Sequence, residues 1–387
     1  MRLKTPILPT ILFAQFAGTS LWFAGNAIIE PLIQKTGLGT QIMGYVLSSV
    51  QFGFILGTLV FSLLLLADRF SPSKVFMFSA FLAGLCNLSL LVEAISQWHL
   101  LFARFGTGFF LAGIYPVGMK IASDYYEKGL GKALGYLVGA LVFGTSFPYL
   151  MDSFMPAGGY STILKTTSLL AILGGVLIGF FVPNGPYCKP ISKLQWNKAK
   201  GLLQIKPFKK AALGYFGHMW ELYAFWAFTP LAITTYNQMN KTVFPVSLTT
   251  GIVIALGAFS CIIGGYISQR IGSYRVALNA LLLSFLFCMI SPFLFELPPY
   301  LFVLGWCIWG MAVVADSPQF SNQVAKAVPN HLKATGLTIT NCIGFTVSVL
   351  SIELLAYAAT ILPNNYIYVL LSLGPFLGIL GFIKKRK

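Results

Sequence analysis

The sequence predicts an all-α integral membrane protein with twelve transmembrane helices in two pseudo-symmetric six-helix halves. Three observations predict this. Hydrophobic residues make up 57% of the 387 residues, charged residues 9%, and the mean hydropathy is +0.78. A soluble domain carries roughly 25% charged residues, and no core of this length buries so much apolar surface in water. The same short basic hinge then occurs twice, about 200 residues apart, each time between long apolar stretches: Gly57 to Lys74 (GTLVFSLLLLADRFSPSK) and Gly257 to Arg275 (GAFSCIIGGYISQRIGSYR). Finally, lysine and arginine segregate by loop. Of the 26, 22 fall on one side of a twelve-span reading, Lys35, Lys165 and Lys241 fall on the other, and Arg104 lies within a span.

At about 20 apolar residues per crossing, the spans fall at 7–34, 41–67, 75–97, 99–122, 132–152 and 161–183 in the first half. In the second half they fall at 211–237, 245–268, 276–296, 299–325, 334–360 and 365–383. The first span is too long for the apolar region of a cleavable signal peptide and is expected to act as its own insertion signal. Residues 184–210, with seven lysines and no acid, read as a linker between the halves 1–183 and 211–387. Within it, Leu194 to Ile205 has the pattern of an amphipathic helix on an anionic leaflet. The charge segregation follows the positive-inside rule and predicts that both termini are cytoplasmic.

The repeat continues beyond the hinge. Arg69 matches Arg270, Lys74 matches Arg275, Pro116 matches Pro318, and Lys132-Ala133-x-Gly135 matches Lys333-Ala334-x-Gly336. Duplicated membrane units are a sequence mark of secondary transporters. The net charge of +16 therefore encodes orientation, and no nucleic-acid partner is expected. No Walker sequence or HExxH pattern is present, which argues against ATP-driven transport and against a membrane-embedded metalloenzyme. Neither a cofactor nor a metal is expected. The six cysteines form no CxxC and read as small apolar packing residues.

Ionisable groups inside spans are costly and are functional candidates by default. Glu221 falls near the middle of span 7, His218 one turn away on the same face, Asp316 in span 10 and Arg104 in span 4. Each has a structural alternative: Arg104 bonding helix carbonyls, His218 as a satisfied core residue, Asp316 paired with polar neighbours near Pro318. Polar stripes accompany them. Span 1 sets Gln15, Thr19, Trp22 and Asn26 at helical spacing. Span 4 places Tyr115 on the face of Arg104, with Pro116 as a break, and span 10 aligns Trp309, Asp316 and Gln323. Asn341 sits within span 11. The candidate substrate path is thus Trp22, Asn26, Arg104, Tyr115, Glu221, Asp316 and Asn341. The candidate proton-coupling set is His218, Glu221 and Asp316, with His218 and Glu221 as the expected pair.

Two six-span halves, a basic linker, and a Gly…Asp-Arg…basic loop after span 2 echoed after span 8 resemble the major facilitator superfamily. Arg104 to Gly108 (RFGTG) is similar to that superfamily's RxxxG motif in span 4. The strings TSLWFAGNA, ADRF, LAGIYPVGMK and GYFGHMWELYAFW also resemble a bacterial branch loosely likened to nitrate and cyanate permeases. Ser71 stands where glycine is usual in the first hinge, and Gln269 where aspartate is usual in the second. The resemblance implies the major facilitator fold, alternating access, and a path lined by spans 1, 4, 7 and 10. It also implies a gating hinge of Asp68, Arg69, Lys74, Arg270 and Arg275. The expected activity is secondary transport, as a proton-coupled symporter, of a small polar or anionic solute by a monomer in a bacterial inner membrane. The alternative is proton-driven export of amphipathic drugs.

Overall fold

The computed structural model describes residues 7–37, 42–93, 95–126, 130–155, 159–188, 199–202, 204–329 and 332–383. All regular structure among them is helical, and the chain divides into two units, Met1–Ile191 and Ser192–Lys387. Helices are what an apolar chain without water must form, because each backbone N–H then finds its carbonyl within the same segment.

In the first unit, span 1 is α1 (Ile7–Ala27), followed by α2 (Ile29–Thr36). The expected 7–34 segment is therefore two helices. The second ends at Gly37, whose φ of +67° suits glycine. Span 2 is α3 (Ile42–Leu63), and a single turn, α4 (Leu66–Arg69), carries the hinge to α5 (Pro72–Leu88), which is span 3. Span 4 is split into α6 (Gln97–Leu111) and α7 (Tyr115–Tyr125). Spans 5 and 6 are α8 (Leu130–Phe154) and α9 (Gly159–Phe181).

In the second unit, α10 (Ala199–Leu202) is one turn and span 7 is α11 (Lys206–Asn240). Spans 8 and 9 are α12 (Val246–Ile271) and α13 (Ser273–Leu294). Span 10 is split into α14 (Pro299–Ala315) and α15 (Ser317–Lys326). Span 11 is α16 (Lys333–Ile361), and span 12 joins a 3₁₀ segment at Ile367–Ser372 to α17 (Leu373–Ile383). Ten of these segments are long and apolar enough to cross a membrane by themselves. The other two are α11, which carries His218 and Glu221 mid-helix, and the shorter Ile367–Phe382. The expected amphipathic helix lies largely outside the described residues. Its described end is α10, whose Leu202 is buried against Phe208, Val324, Val328 and Leu332, so that residue faces protein and not a leaflet surface.

The repeat read from the sequence is visible in the packing. In the first unit, span 1 lies against spans 5 and 6, span 2 against span 4, and span 3 against spans 4 and 6. In the second, span 7 lies against 11 and 12, span 8 against 10, and span 9 against 10 and 12. The split in span 4 and the split in span 10 also correspond. Each new helix has proline at its second position, Pro116 and Pro318, where the missing N–H costs nothing and the ring presets φ.

Helix pairs approach closely where glycine permits. Gly53 and Gly57 on α3 face the carbonyls of Phe105 and Phe109 on α6, and Gly108 on α6 faces the backbone of Val50. Gly217 on α11 meets Gly374 and Gly378 on α17. This is the small-xxx-small packing that substitutes for a hydrophobic driving force between helices in lipid. Gly53→Val should separate α3 from α6 and destabilise the fold by about 1–3 kcal/mol, a typical overpacking cost. Gly265→Ala, where nothing lies within 4 Å, should leave thermal unfolding in detergent unchanged. Equal melting behaviour of the two variants would contradict this packing account.

Candidate functional site

Buried ionisable side chains make polar contacts inside the helices of each unit. In the first, α6 directs Arg104 across to α1. Its side chain is fully buried. Nη1 donates to the Leu21 carbonyl at 3.3 Å, and Nη2 donates to the Trp22 carbonyl at 2.5 Å and to Asn26 Oδ1 at 3.4 Å. Its Nε has no hydrogen-bond partner. Gly25 makes room: a Cβ there would fall 2.6 Å from the guanidinium carbon. Four residues on from Arg104, Gly108 seats the same helix on α3, so the RxxxG spacing sets contacts with two neighbouring helices one turn apart. Trp22 is buried, with its ring 4.8 Å from that of Phe54. Gln15, fully buried two turns before Trp22 on α1, has neither amide atom hydrogen-bonded.

In the second unit, α11 carries Glu221 toward α13 and α14. Glu221 Oε1 accepts from Ser284 Oγ, from Trp309 Nε1 at 2.6 Å and from Cys288 Sγ at 3.3 Å. All four residues are buried. The Trp309 ring is held by Phe225 at 4.8 Å and Trp306 at 5.1 Å, within a cluster that also takes in Phe295, Phe302 and Tyr368.

His218, one turn from Glu221 on α11, points elsewhere. Its Nδ1 lies 2.7 Å from Asp316 Oδ1, and both side chains are at most 2% exposed. The approach is that of a charge-assisted contact, although its alignment is off the ideal line and Oδ1 makes no well-formed hydrogen bond. The distance decides that the two groups share one electrostatic site. His218 Nε2 has no hydrogen-bond partner. Asp316 is the residue between α14 and α15, where its carbonyl accepts from Gln319 and Phe320.

The expected partnership of His218 with Glu221 is therefore replaced by His218 with Asp316. Residues three apart share a helix face only approximately, and the neighbouring helices decide which way each side chain is drawn. Sequence reading missed Ser284, Cys288 and Gly25. The i, i+4 spacing of Ser284 and Cys288 in an apolar span was the available signal. Cys288, read as a packing residue, also donates to a carboxylate. Trp309, read as part of a polar stripe, is core. Tyr115 begins α7 and Asn341 lies in α16, both half-buried.

The hinge splits its charges. Asp68 Oδ1 lies 3.4 Å from Lys120 Nζ on α7, and Lys120 also reaches Asp124 at 3.3 Å. Burial raises the Asp68 carboxyl above its ordinary range, against the pull of Lys120. Arg69, Lys74, Arg270 and Arg275 are exposed.

A family model described as Major Facilitator Superfamily matches residues 11–352. The chain belongs to the Major Facilitator Superfamily. Among curated proteins none matches significantly. Among solved structures, a crystal structure of a mutant of nucleoside transporter NupG is similar with a TM-score of 0.73 at 14% identity, covering 97% of this chain and 99% of that one. At that identity the likeness concerns the fold. Superfamily membership makes the protein a multi-pass secondary transporter of small molecules and not an enzyme. The twelve spans and duplicated halves are those of that fold.

Two outcomes follow from this geometry. Trp309→Phe removes one donor to Glu221 and should lower stability in detergent by about 1.5–3 kcal/mol. Combined with Glu221→Gln it should cost clearly less than the two single changes added; simple additivity in the melting data would mean that the two side chains do not interact energetically. For Asp68, a folded-state value above the unfolded one means that the folded state binds the proton more tightly. Stability associated with this group then falls as pH rises from the ordinary carboxylate range through the raised value. Asp68→Asn should therefore melt at or above the wild-type temperature near neutral pH, with the advantage shrinking toward about pH 4. A variant that is less stable at neutral pH and recovers in acid would reverse this sign.

Proposed function

We propose that this superfamily member is a proton-coupled symporter of a small polar or anionic solute. In this reading it works as a monomer in a bacterial inner membrane with both termini cytoplasmic. The orientation rests on the lysine and arginine distribution. The observation that carries the coupling is the buried His218–Asp316 contact at the break in span 10. An imidazole and a carboxylate in contact form a neutral unit when they share a proton and an anionic one when they do not. Burial makes that change of charge costly, and hence able to bias a conformational equilibrium. The unpartnered Nε2 of His218 offers the point of proton or solute access. The pair occurs in one half of the repeat only. Shifted by the 202 residues that separate Pro116 from Pro318, its two positions are Phe16 and Ile114.

In this reading Glu221 is a second buried acid that ties α11 to α13 and α14 beside the coupling pair. Arg104 holds α1 and keeps only Nε for an anion. Trp22, Asn26, Tyr115 and Asn341 belong to the same proposed path. Asp68, Arg69, Lys74, Arg270 and Arg275 are proposed as the gating hinge, with Asp68 exchanging its contact to Lys120 as the halves move. Tryptophans and phenylalanines that could have lined a greasy export cavity pack on one another instead, which supports a polar solute over an amphipathic drug.

The test uses proteoliposomes loaded with a pH-sensitive dye and challenged with nucleosides, hexoses and short monocarboxylates. A coupled solute should acidify the lumen. Asp316→Asn should abolish pH-driven accumulation and spare solute counterflow, whereas Glu221→Gln should reduce both together. Full pH-driven accumulation by the Asp316→Asn protein would overturn the assignment of the coupling site.

A further inference from the structure

The hinge of the first unit leaves two cations unaccounted for. Asp68 is engaged by Lys120, whereas Arg69, the next residue, and Lys74, in the first turn of α5, are both exposed. They stand at the rim of a cleft of about 690 Å³ between α3 and α5, floored by α6. Its walls are apolar: Val60 and Phe61 from α3, Phe78 and Leu82 from α5, and Phe109 and Phe110 from α6. Phe78 is 60% exposed and Leu82 38% exposed, so the cleft opens sideways from the helices as well as at its rim.

The dimensions match half a bilayer. Leu82 lies ten residues beyond the start of α5 at Pro72, or about 15 Å along the helix. That is half of a hydrocarbon core of about 30 Å. The rim, between the end of α3 at Leu63 and the start of α5 at Pro72, carries the exposed Arg69 and Lys74, which are costly inside hydrocarbon; with these at the polar boundary, the apolar cleft runs down one leaflet. The N-terminus of the 17-residue α5 adds its partial positive charge at the same rim.

We propose that this cleft binds one anionic phospholipid, with an acyl chain along Val60, Phe78, Leu82 and Phe109 and the phosphate between Arg69 and Lys74. Such a ligand answers both parts of the site. A free phosphate leaves the apolar walls empty. A zwitterionic lipid brings a cation to a rim that already holds two. Basic pockets between membrane helices are established recognition sites for anionic headgroups. The inference concerns the lipid face of the first unit and is independent of the proton-coupling site in the second.

The test is photolabelling of the full-length protein in mixed micelles. The probe is phosphatidylglycerol with a diazirine midway along one acyl chain, compared with phosphatidylcholine carrying the same chain. At about 1 kcal/mol per basic group near a membrane surface, labelling of peptides containing Phe78 to Leu82 and Phe109–Phe110 should favour phosphatidylglycerol on the order of thirty-fold. Unlabelled phosphatidylglycerol should compete and inorganic phosphate should not. Arg69→Gln with Lys74→Gln should bring the preference close to unity. Leu82→Trp should reduce labelling by both lipids by filling the cleft. Equal labelling by the two lipids in the unaltered protein, which requires no variant to fold, would overturn the proposal. So would labels spread evenly over lipid-facing helices of both halves, efficient competition by phosphate alone, or a dimer mass with the cleft peptides unlabelled.

Discussion

The hydrocarbon core of a membrane offers no water to satisfy a polar atom, and the rest of the structure follows from that constraint. Backbone groups meet it by forming helices. Side chains meet it by crossing to a neighbouring helix. Arg104 reaches the carbonyls of α1, Glu221 collects three donors from α13 and α14, and His218 turns to Asp316. Each link fixes the rotation of one helix against another. It does so with a specificity that apolar packing alone lacks, since lipid tails are as apolar as leucine.

The same constraint makes the unsatisfied atoms informative. Several polar atoms at the two buried sites lack a hydrogen bond: Arg104 Nε and both amide atoms of Gln15 in the first unit, His218 Nε2 and Asp316 Oδ1 in the second. A buried donor without a partner costs about 1–3 kcal/mol. Such a cost is tolerated where a ligand or a proton relieves it part of the time. These atoms lie in spans 1, 4, 7 and 10.

Duplication supplies the frame and divergence supplies the chemistry. The five neighbour pairs of spans recur in both units, and the proline-started half-helices recur in spans 4 and 10. The buried charges do not recur. The first unit has Arg104, which holds a helix, and Asp124 beside Lys120, whereas the second has two acids and an imidazole. A duplicated unit can thus acquire different buried polar groups in one half without disturbing the packing of the other.

The sequence by itself determined the class of the molecule. Hydropathy, the repeated hinge and the segregated lysines and arginines report on partitioning into lipid and on gene duplication, both of which are one-dimensional properties of the chain. They led to twelve helices in two halves, to a break at Pro116 with Pro318 as its counterpart, and to the short list containing Arg104, His218, Glu221 and Asp316. Tertiary structure decided the partners. Periodicity places Glu221 and His218 one turn apart, but it does not say that Ser284, Cys288 and Trp309 surround the first and Asp316 meets the second. It does not reveal that Gly25 clears a path for Arg104, nor that Lys120 takes Asp68 and leaves Arg69 at the edge of an apolar cleft. Those pairings depend on the rotation and separation of helices distant in sequence. Close glycine contacts and the crossing side chains set them together, and no single span encodes them.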